Sequence, residues 1–325
     1  MIFASNQIEG DGRMAKKVVI ALGGNAILQP KQEATYENQL ENVQKSAKIV
    51  AQIIQNGHKV IVTHGNGPQV GHILRQNEVA RDIVPPLPLH VCSAESQGFI
   101  GYMMDQMLKN ELAKLGLEKD VVNLLTQTEV SKDDPAFQDP TKPIGKFYTE
   151  EKAKRLATDK DWVVKEDAGR GWRRVVASPQ PQSILSSKAV RVLTDAGSVV
   201  ITAGGGGIPV IKNKMGMYEG IEAVIEKDSS ACRLATEVEA DTFMILTDVS
   251  HVYINYGKPN EESLGHINLE QARQYVAEGQ FSPGSMKPKM EAAIKFVEQG
   301  GKAIICSLDQ ADIALEGEYG TFITK

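Results

Sequence analysis

Two short segments put lysines where a helix least suits them. Gly284-Ser285-Met286-Lys287-Pro288-Lys289 reads as the opening of a helix with two cations in or near its first turn. The helix dipole is already positive at that end. Lys227 stands just before Asp228, which reads as the N-cap of another helix. Either motif alone reads most simply as a cap and a solvated surface. An anion lying between the two helix ends would reverse the unfavourable charge balance.

Three glycine loops make that anion the better reading. Gly23-Gly24-Asn25, Gly65-Asn66-Gly67 and Gly204-Gly205-Gly206-Gly207 each follow a short run of apolar, mostly β-branched residues. Pro68 sits where a helix would begin after the second loop. Glycines let backbone N–H groups crowd against a ligand, and a helix N-terminus behind them favours negative charge. Three such loops suggest a surface built to hold several anionic groups at once.

Other chemistries lack their residues. GxxxxGK[ST] and GxGxxG are absent; after Gly65-Asn66-Gly67 the next glycine is Gly71, one place late. No GxSxG marks a nucleophile. His64 and His72 bracket the central loop without a ligand spacing and read as local hydrogen-bonding residues. Positioning and charge stabilisation remain, with no covalent intermediate.

Alternating strands and helices must carry these loops. Residues 18–22 are continuously apolar, as in strands of a parallel sheet buried on both faces, and the β-branched run 60–63 reads as another buried strand. Between them Leu40, Val43, Ala47, Val50 and Ile54 recur at helical spacing, with Gly57 as the stop. A helix is expected near 93–114 and a strand over 121–125. From about 127 to 183 the chain is rich in charge, proline and turns. Trp162-Val163-Val164-Lys165 and Trp172-Arg173-Arg174-Val175-Val176 predict a hairpin there, so this stretch reads as an inserted subdomain. The frame resumes with helices near 186–195, 229–238 and 287–299, and strands at 243–246, 303–306 and 320–324.

Composition narrows the class. The chain has 325 residues, 42% of them hydrophobic, and a formal charge of -5 with no basic run, which argues against a nucleic-acid binder. No stretch approaches the roughly 20 apolar residues needed to cross a bilayer. Cys92, Cys232 and Cys306 form no CxxC and fit a reducing cytosol. Residues 1–15 are set aside as a leader or tag-like tail; Met14 offers a second start.

The motifs together resemble carbamate kinase, within the amino acid kinase superfamily. The resemblance rests on Gly23-Gly24-Asn25-Ala26, Gly65-Asn66-Gly67-Pro68-Gln69-Val70-Gly71, Thr141-Lys142-Pro143-Ile144-Gly145 and Glu166-Asp167-Ala168-Gly169-Arg170-Gly171. Gly204-Gly205-Gly206-Gly207-Ile208-Pro209, Lys227-Asp228 and Gly284-Ser285-Met286-Lys287-Pro288-Lys289 extend it. It covers residues 16–325, and the Thr141 and Glu166 segments are its most specific parts. Glu226 stands where the family commonly has aspartate, and Gln180 where it has lysine.

The resemblance implies an α/β fold: a three-layer αβα sandwich around a mainly parallel sheet, with a protruding subdomain at about 127–183 inserted in a kinase domain over 16–325. It implies a cytoplasmic homodimer that converts ATP and carbamate reversibly to ADP and carbamoyl phosphate, with Mg²⁺ on the nucleotide. ATP synthesis at the end of arginine deiminase catabolism would be its use. Gly24, Asn25, Gly65, Asn66 and Gly67 would hold the carbamate end, and Lys142 would reach in from the subdomain. Lys227 and Lys289 would neutralise the phosphoryl group in flight, with Asp228 orienting them. Gly205, Gly206, Asp248, Val249, Tyr253, Tyr256 and Met286 would surround the nucleotide. A kinase for another small acid, or a silent nucleotide-binding module, are the rival readings.

Overall fold

Alternation along the first strand sets the layers. In β1 (Lys17–Leu22), Val18, Ile20 and Leu22 enter one apolar core, whereas Val19 and Ala21 enter another. All five are 0% exposed. A strand buried on both faces needs helices on both sides, as in a parallel sheet. The computed structural model describes residues 15–167 and 169–325; Ala168 and all but the last residue of the expected leader lie outside them.

The frame continues through α1 (Tyr36–Gln55), β2 (Lys59–His64), α2 (Gly67–Ala80), α3 (Leu89–Lys114) and β3 (Val121–Leu124). Then come β4 (Gln127–Val130), β5 (Lys142–Tyr148), α4 (Glu150–Lys160), β6 (Val163–Glu166), β7 (Trp172–Val176) and β8 (Pro181–Ile184). It returns with α5 (Ser187–Asp195), β9 (Val199–Thr202), β10 (Ile208–Lys212), β11 (Tyr218–Gly220), α6 (Lys227–Glu237) and β12 (Thr242–Thr247). Last are β13 (Val252–Ile254), β14 (Glu262–Leu264), β15 (His266–Asn268), α7 (Leu269–Ala277), α8 (Met286–Glu298), β16 (Lys302–Ser307), α9 (Ala311–Leu315) and β17 (Thr321–Thr324).

Eight strands form the central sheet in the order β15-β17-β16-β12-β1-β2-β9-β3. Every neighbouring pair is parallel except β16 with β17. Helices α1, α3 and α9 cover one face; α5, α6, α7 and α8 cover the other. The chain steps from β1 to β2 on one side and later places β12 on the other. β1 therefore lies at a switch point, where α/β sheets open a crevice at the carboxyl ends of their strands.

The charged stretch is ordered. β6 and β7 pair antiparallel, Val163 opposite Val175 and Glu166 opposite Trp172, and β5 completes a three-stranded sheet. The guanidinium of Arg174 and the ammonium of Lys160 each lie 4.9 Å from the Trp162 ring. Cation–π contacts of this kind explain how so polar a segment holds its shape. A second sheet, β11-β10-β4-β8, joins it to the frame.

Three local features differ from the expectations. α4 was not foreseen, because Ala153 is its sole buried residue and no apolar stripe announces it. Thr149 caps it, accepting from the Lys152 N–H. α3 starts at Leu89, immediately after Pro88, rather than near residue 93. Glu226, not Asp228, is the N-cap residue of α6; Asp228 lies inside the first turn.

Candidate active site

Strand register brings the glycine loops to one level. Leu22 pairs with both His64 and Leu246, so β1, β2 and β12 end side by side. Gly23 N–H donates to Leu246 O at 3.2 Å, Gly65 N–H to Leu22 O at 3.1 Å, and Thr63 Oγ1 to Ala203 O at 3.0 Å. Three loops far apart in sequence thus share one floor.

The glycines on that floor divide into two kinds. A Cβ on Gly204 would lie 2.4 Å from the His64 ring, on Gly205 2.1 Å from Asn66 Nδ2, and on Gly206 2.4 Å from Ile225 O. Gly205, Gly206 and Gly207 also have φ of +65°, +88° and +89°, a region that side chains rarely adopt. The tetraglycine loop is therefore demanded by packing and backbone. Gly24 and Gly67 are different: a Cβ on either meets no protein atom within 4 Å. Neither φ is positive. The fold does not require glycine there, and a ligand approaching the backbone would.

Behind Gly67, α2 begins with Asn66 at its N-cap, but the Asn66 side chain does not cap it. Asn66 Nδ2 donates instead to Ser96 Oγ at 2.8 Å. Gly67, the first residue of α2, is exposed, and Pro68 follows it. α6 and α8 likewise start without a side-chain cap. Uncapped helix starts favour anions.

The charged centre joins those two helices. Lys227 Nζ donates to Asp228 Oδ1 at 2.6 Å, and Lys289 Nζ to Asp228 Oδ2 at 3.1 Å. Asp228 is 1% exposed. Burial alone would raise its pKa, but the Lys227 and Lys289 charges hold it below the usual carboxylate range. Burial pushes the Lys227 ammonium below its ordinary value, Lys289 adds to that, and Asp228 pulls back. Two cations against one carboxylate leave an excess positive charge at the strand ends. Lys287, by contrast, faces solvent, 3.8 Å from Glu291.

Lys142 arrives from β5 and forms an ion pair with Glu226, the residue before Lys227. Arg174 of β7 pairs with Glu222 at 2.9 Å, and Lys160 of α4 pairs with Glu78 of α2. Asn25 lies in a short 3-10 turn with its carbonyl accepting from Gln29 Nε2 at 2.7 Å. Asp248 and Val249 occupy the loop after β12, where Thr247 Oγ1 donates to Asp248 Oδ1 at 3.0 Å. The rings of Tyr253 and Tyr256 tilt together at 6.1 Å. Met286 opens α8, one turn before Lys289, and packs on the core beneath it. Among the described residues, no hydrogen bond joins either tyrosine to the lysine centre.

The sequence reading missed a buried polar set. Gln97 Nε2 donates to Gly204 O at 3.0 Å, while its Oε1 accepts from Thr126 N–H at 2.8 Å. His64 is pushed down to about 4 by burial, so the ring is neutral, and its Nδ1 lies 2.9 Å from Gly65 O. Ser93, Ser96 and Gln97, polar residues on a buried helix face, were the available sign. The three thiols are free and buried, and burial pushes Cys92, Cys232 and Cys306 up to about 11, 11 and 12.

Comparison with known proteins decides the family. A model of the amino acid kinase family matches residues 16–307. Carbamate kinase from Pyrococcus horikoshii is 52% identical over 96% of this chain and 100% of its own length. The chain belongs to the carbamate kinases of the amino acid kinase family. Carbamate kinase from Clostridium perfringens is 49% identical over 95% of this chain and 100% of its own. The structure of carbamate kinase from Giardia lamblia bound to AMP-PNP superposes with a TM-score of 0.91, at 46% identity, over 96% of this chain and 99% of that one. Carbamate kinase thus gives the fold, the enzyme class and the activity to be explained.

Proposed function

We propose that the chain transfers a phosphoryl group between ADP and carbamoyl phosphate, and that ATP formation at the end of arginine deiminase catabolism is its working direction. The observation that carries the site is Asp228 held between Lys227 and Lys289 at the starts of two helices, level with the glycine loops.

Carbamate is already an anion, so the transfer needs no general base. The obstacle is the approach of two anions, which repel by about 4 kcal/mol at 4 Å in an effective dielectric near 20. Lys227 and Lys289 offset that repulsion on the transferring group, and Asp228 fixes where they point. Preorganised charge of this kind is the main source of rate in phosphoryl transfer. Gly24, Asn25, Gly65, Asn66 and Gly67 hold the carbamoyl end with backbone N–H groups, and Lys142 closes over it. Gly205 and Gly206 bridge to the nucleotide side, where Asp248, Val249, Tyr253, Tyr256 and Met286 line the ATP or ADP. Their adjacency to Asn66 makes the tetraglycine loop the partition between the two substrates.

Mg²⁺ held by the nucleotide phosphates would supply further neutralisation of their charge. Asp228 has both carboxylate oxygens engaged by lysines, so the ion is assigned to the nucleotide rather than to that carboxylate. Residues about 127–183 act as the inserted subdomain, and the enzyme works as a cytoplasmic homodimer. No described helix is long and apolar enough to cross a membrane. The test is ATP production from ADP and carbamoyl phosphate. Acetyl phosphate and an N-acetylglutamyl phosphate run in parallel test the rival acids, and ATP from those but not from carbamoyl phosphate would refute the assignment.

A further inference from the structure

A cavity of about 680 Å³ lies between α2 on one side and β5, the end of α4 and β7 on the other. That volume is typical of small-molecule sites. It opens beside the acceptor loop and shares Gly67 with it, but contains none of Lys142, Lys227, Asp228 and Lys289. Its lining includes six cations: Arg75, Arg81, Lys146, Lys160, Arg173 and Arg174.

The carboxylates in the lining neutralise only part of this charge. Glu78 is engaged by Lys160 and by Arg81 at 3.6 Å, and Asp159 lies 3.7 Å from Arg155. Arg173 and Arg174 pair with Asp167 and Glu222, which are outside the lining. Arg75 and Lys146 have no carboxylate partner among the described residues. Arg173 Nε is buried without a hydrogen-bond acceptor among them. Its terminal nitrogens donate to Asp167 Oδ2 at 3.1 Å and to Gly145 O at 3.0 Å, so Arg173 braces the wall. Between the cations the wall is apolar, from Leu74, Ile144, Tyr148 and Trp162.

We propose that this cavity binds a small organic phosphate, its oxygens on Arg75 and Lys146 and its ring or chain against Leu74, Ile144 and Trp162. Positive charge beside an apolar wall selects both halves of such a ligand, where inorganic phosphate satisfies one. Because one wall is α2, whose first turn carries Gly67, and the other is the subdomain, the ligand bridges the two bodies that flank the acceptor loop. The site goes beyond the kinase reading: a protein that made no ATP from carbamoyl phosphate could still bind here.

The probe is 1-naphthyl phosphate, titrated calorimetrically into the full-length protein saturated with ADP. One saturable site is expected, at least about tenfold tighter than for inorganic phosphate or 1-naphthol. Arg75→Glu with Lys146→Glu should weaken it by about tenfold or more, while Ile83→Ser, outside the lining, leaves it unchanged. Thermal unfolding identifies a variant that fails to fold; the exposed Lys146→Glu alone then carries the test. No saturable binding, equal affinity in the charge-reversed protein, or displacement by carbamoyl phosphate would each overturn the proposal.

Discussion

Lys289 on α8 reaches the carboxylate of Asp228 on α6 at 3.1 Å, across 61 residues of chain. The other oxygen of that carboxylate takes Lys227. One buried acid thus fixes two cations whose helices would otherwise repel them. Asp228→Asn leaves both ammonium groups without their counter-charge. Breaking a buried pair this way costs about 3–5 kcal/mol. The melting temperature should drop and turnover should fall. Asp228 raises the Lys227 pKa, so its loss lowers that pKa further. Residual turnover in the variant should then rise as pH falls, the reverse of a carboxylate base. A pH–rate profile for Asp228→Asn, compared with the parent, checks this.

Gly24 and Gly67 separate function from fold. Since an added Cβ meets no protein atom at either position, Gly24→Ala and Gly67→Ala should leave stability within about 1 kcal/mol. Both should raise KM for carbamoyl phosphate. Gly205→Ala strains a φ of +65° and drives into Asn66, so it should lose both stability and turnover. Urea unfolding alongside steady-state kinetics for the three variants distinguishes the classes. Equal destabilisation in all three would contradict the division.

His64 predicts a pH-dependent stability. Its folded pKa of about 4 lies below the ordinary 6.5, so the unfolded chain binds more protons between those values. Stability is then full above 6.5 and is lost as pH falls toward 4, by about 3 kcal/mol. His64→Gln should flatten that part of the curve. Unfolding midpoints at pH 7, 6 and 5 for both proteins measure the difference, and identical slopes would rule out a neutral buried ring.

Lys142 of β5 meets Glu226, the residue just before α6. If its charge serves the carbamoyl end, Lys142→Gln should raise KM for carbamoyl phosphate by about tenfold, the scale of one charge-assisted hydrogen bond. KM for ADP should stay within about twofold, because the contact is on the acceptor side. A matching rise in both constants would place Lys142 elsewhere.

Much of this arrangement was legible in the chain. The apolar runs of β1, β2, β9 and β12, and the glycines that end the first three, announced a parallel sheet with loops at one edge. The ill-placed lysines of α6 and α8 pointed to a charged centre, where Lys227 and Lys289 both meet Asp228. What sequence could not supply was proximity. Gly204 reads like Gly24 in one dimension, yet one fills space against His64 and the other faces open space. Glu226 reads as a small departure from the family until Lys142 is seen to reach it. α4 stayed hidden because surface helices with one buried residue carry no periodic signal.

The central claim is that Lys227 and Lys289 carry the electrostatic work of transfer. Its most direct test is single-turnover ATP formation from ADP and carbamoyl phosphate by Lys227→Ala and Lys289→Ala, with circular dichroism confirming the fold. The account predicts a loss of about 10²–10⁴-fold in each. Near-normal rates in both folded variants would contradict it.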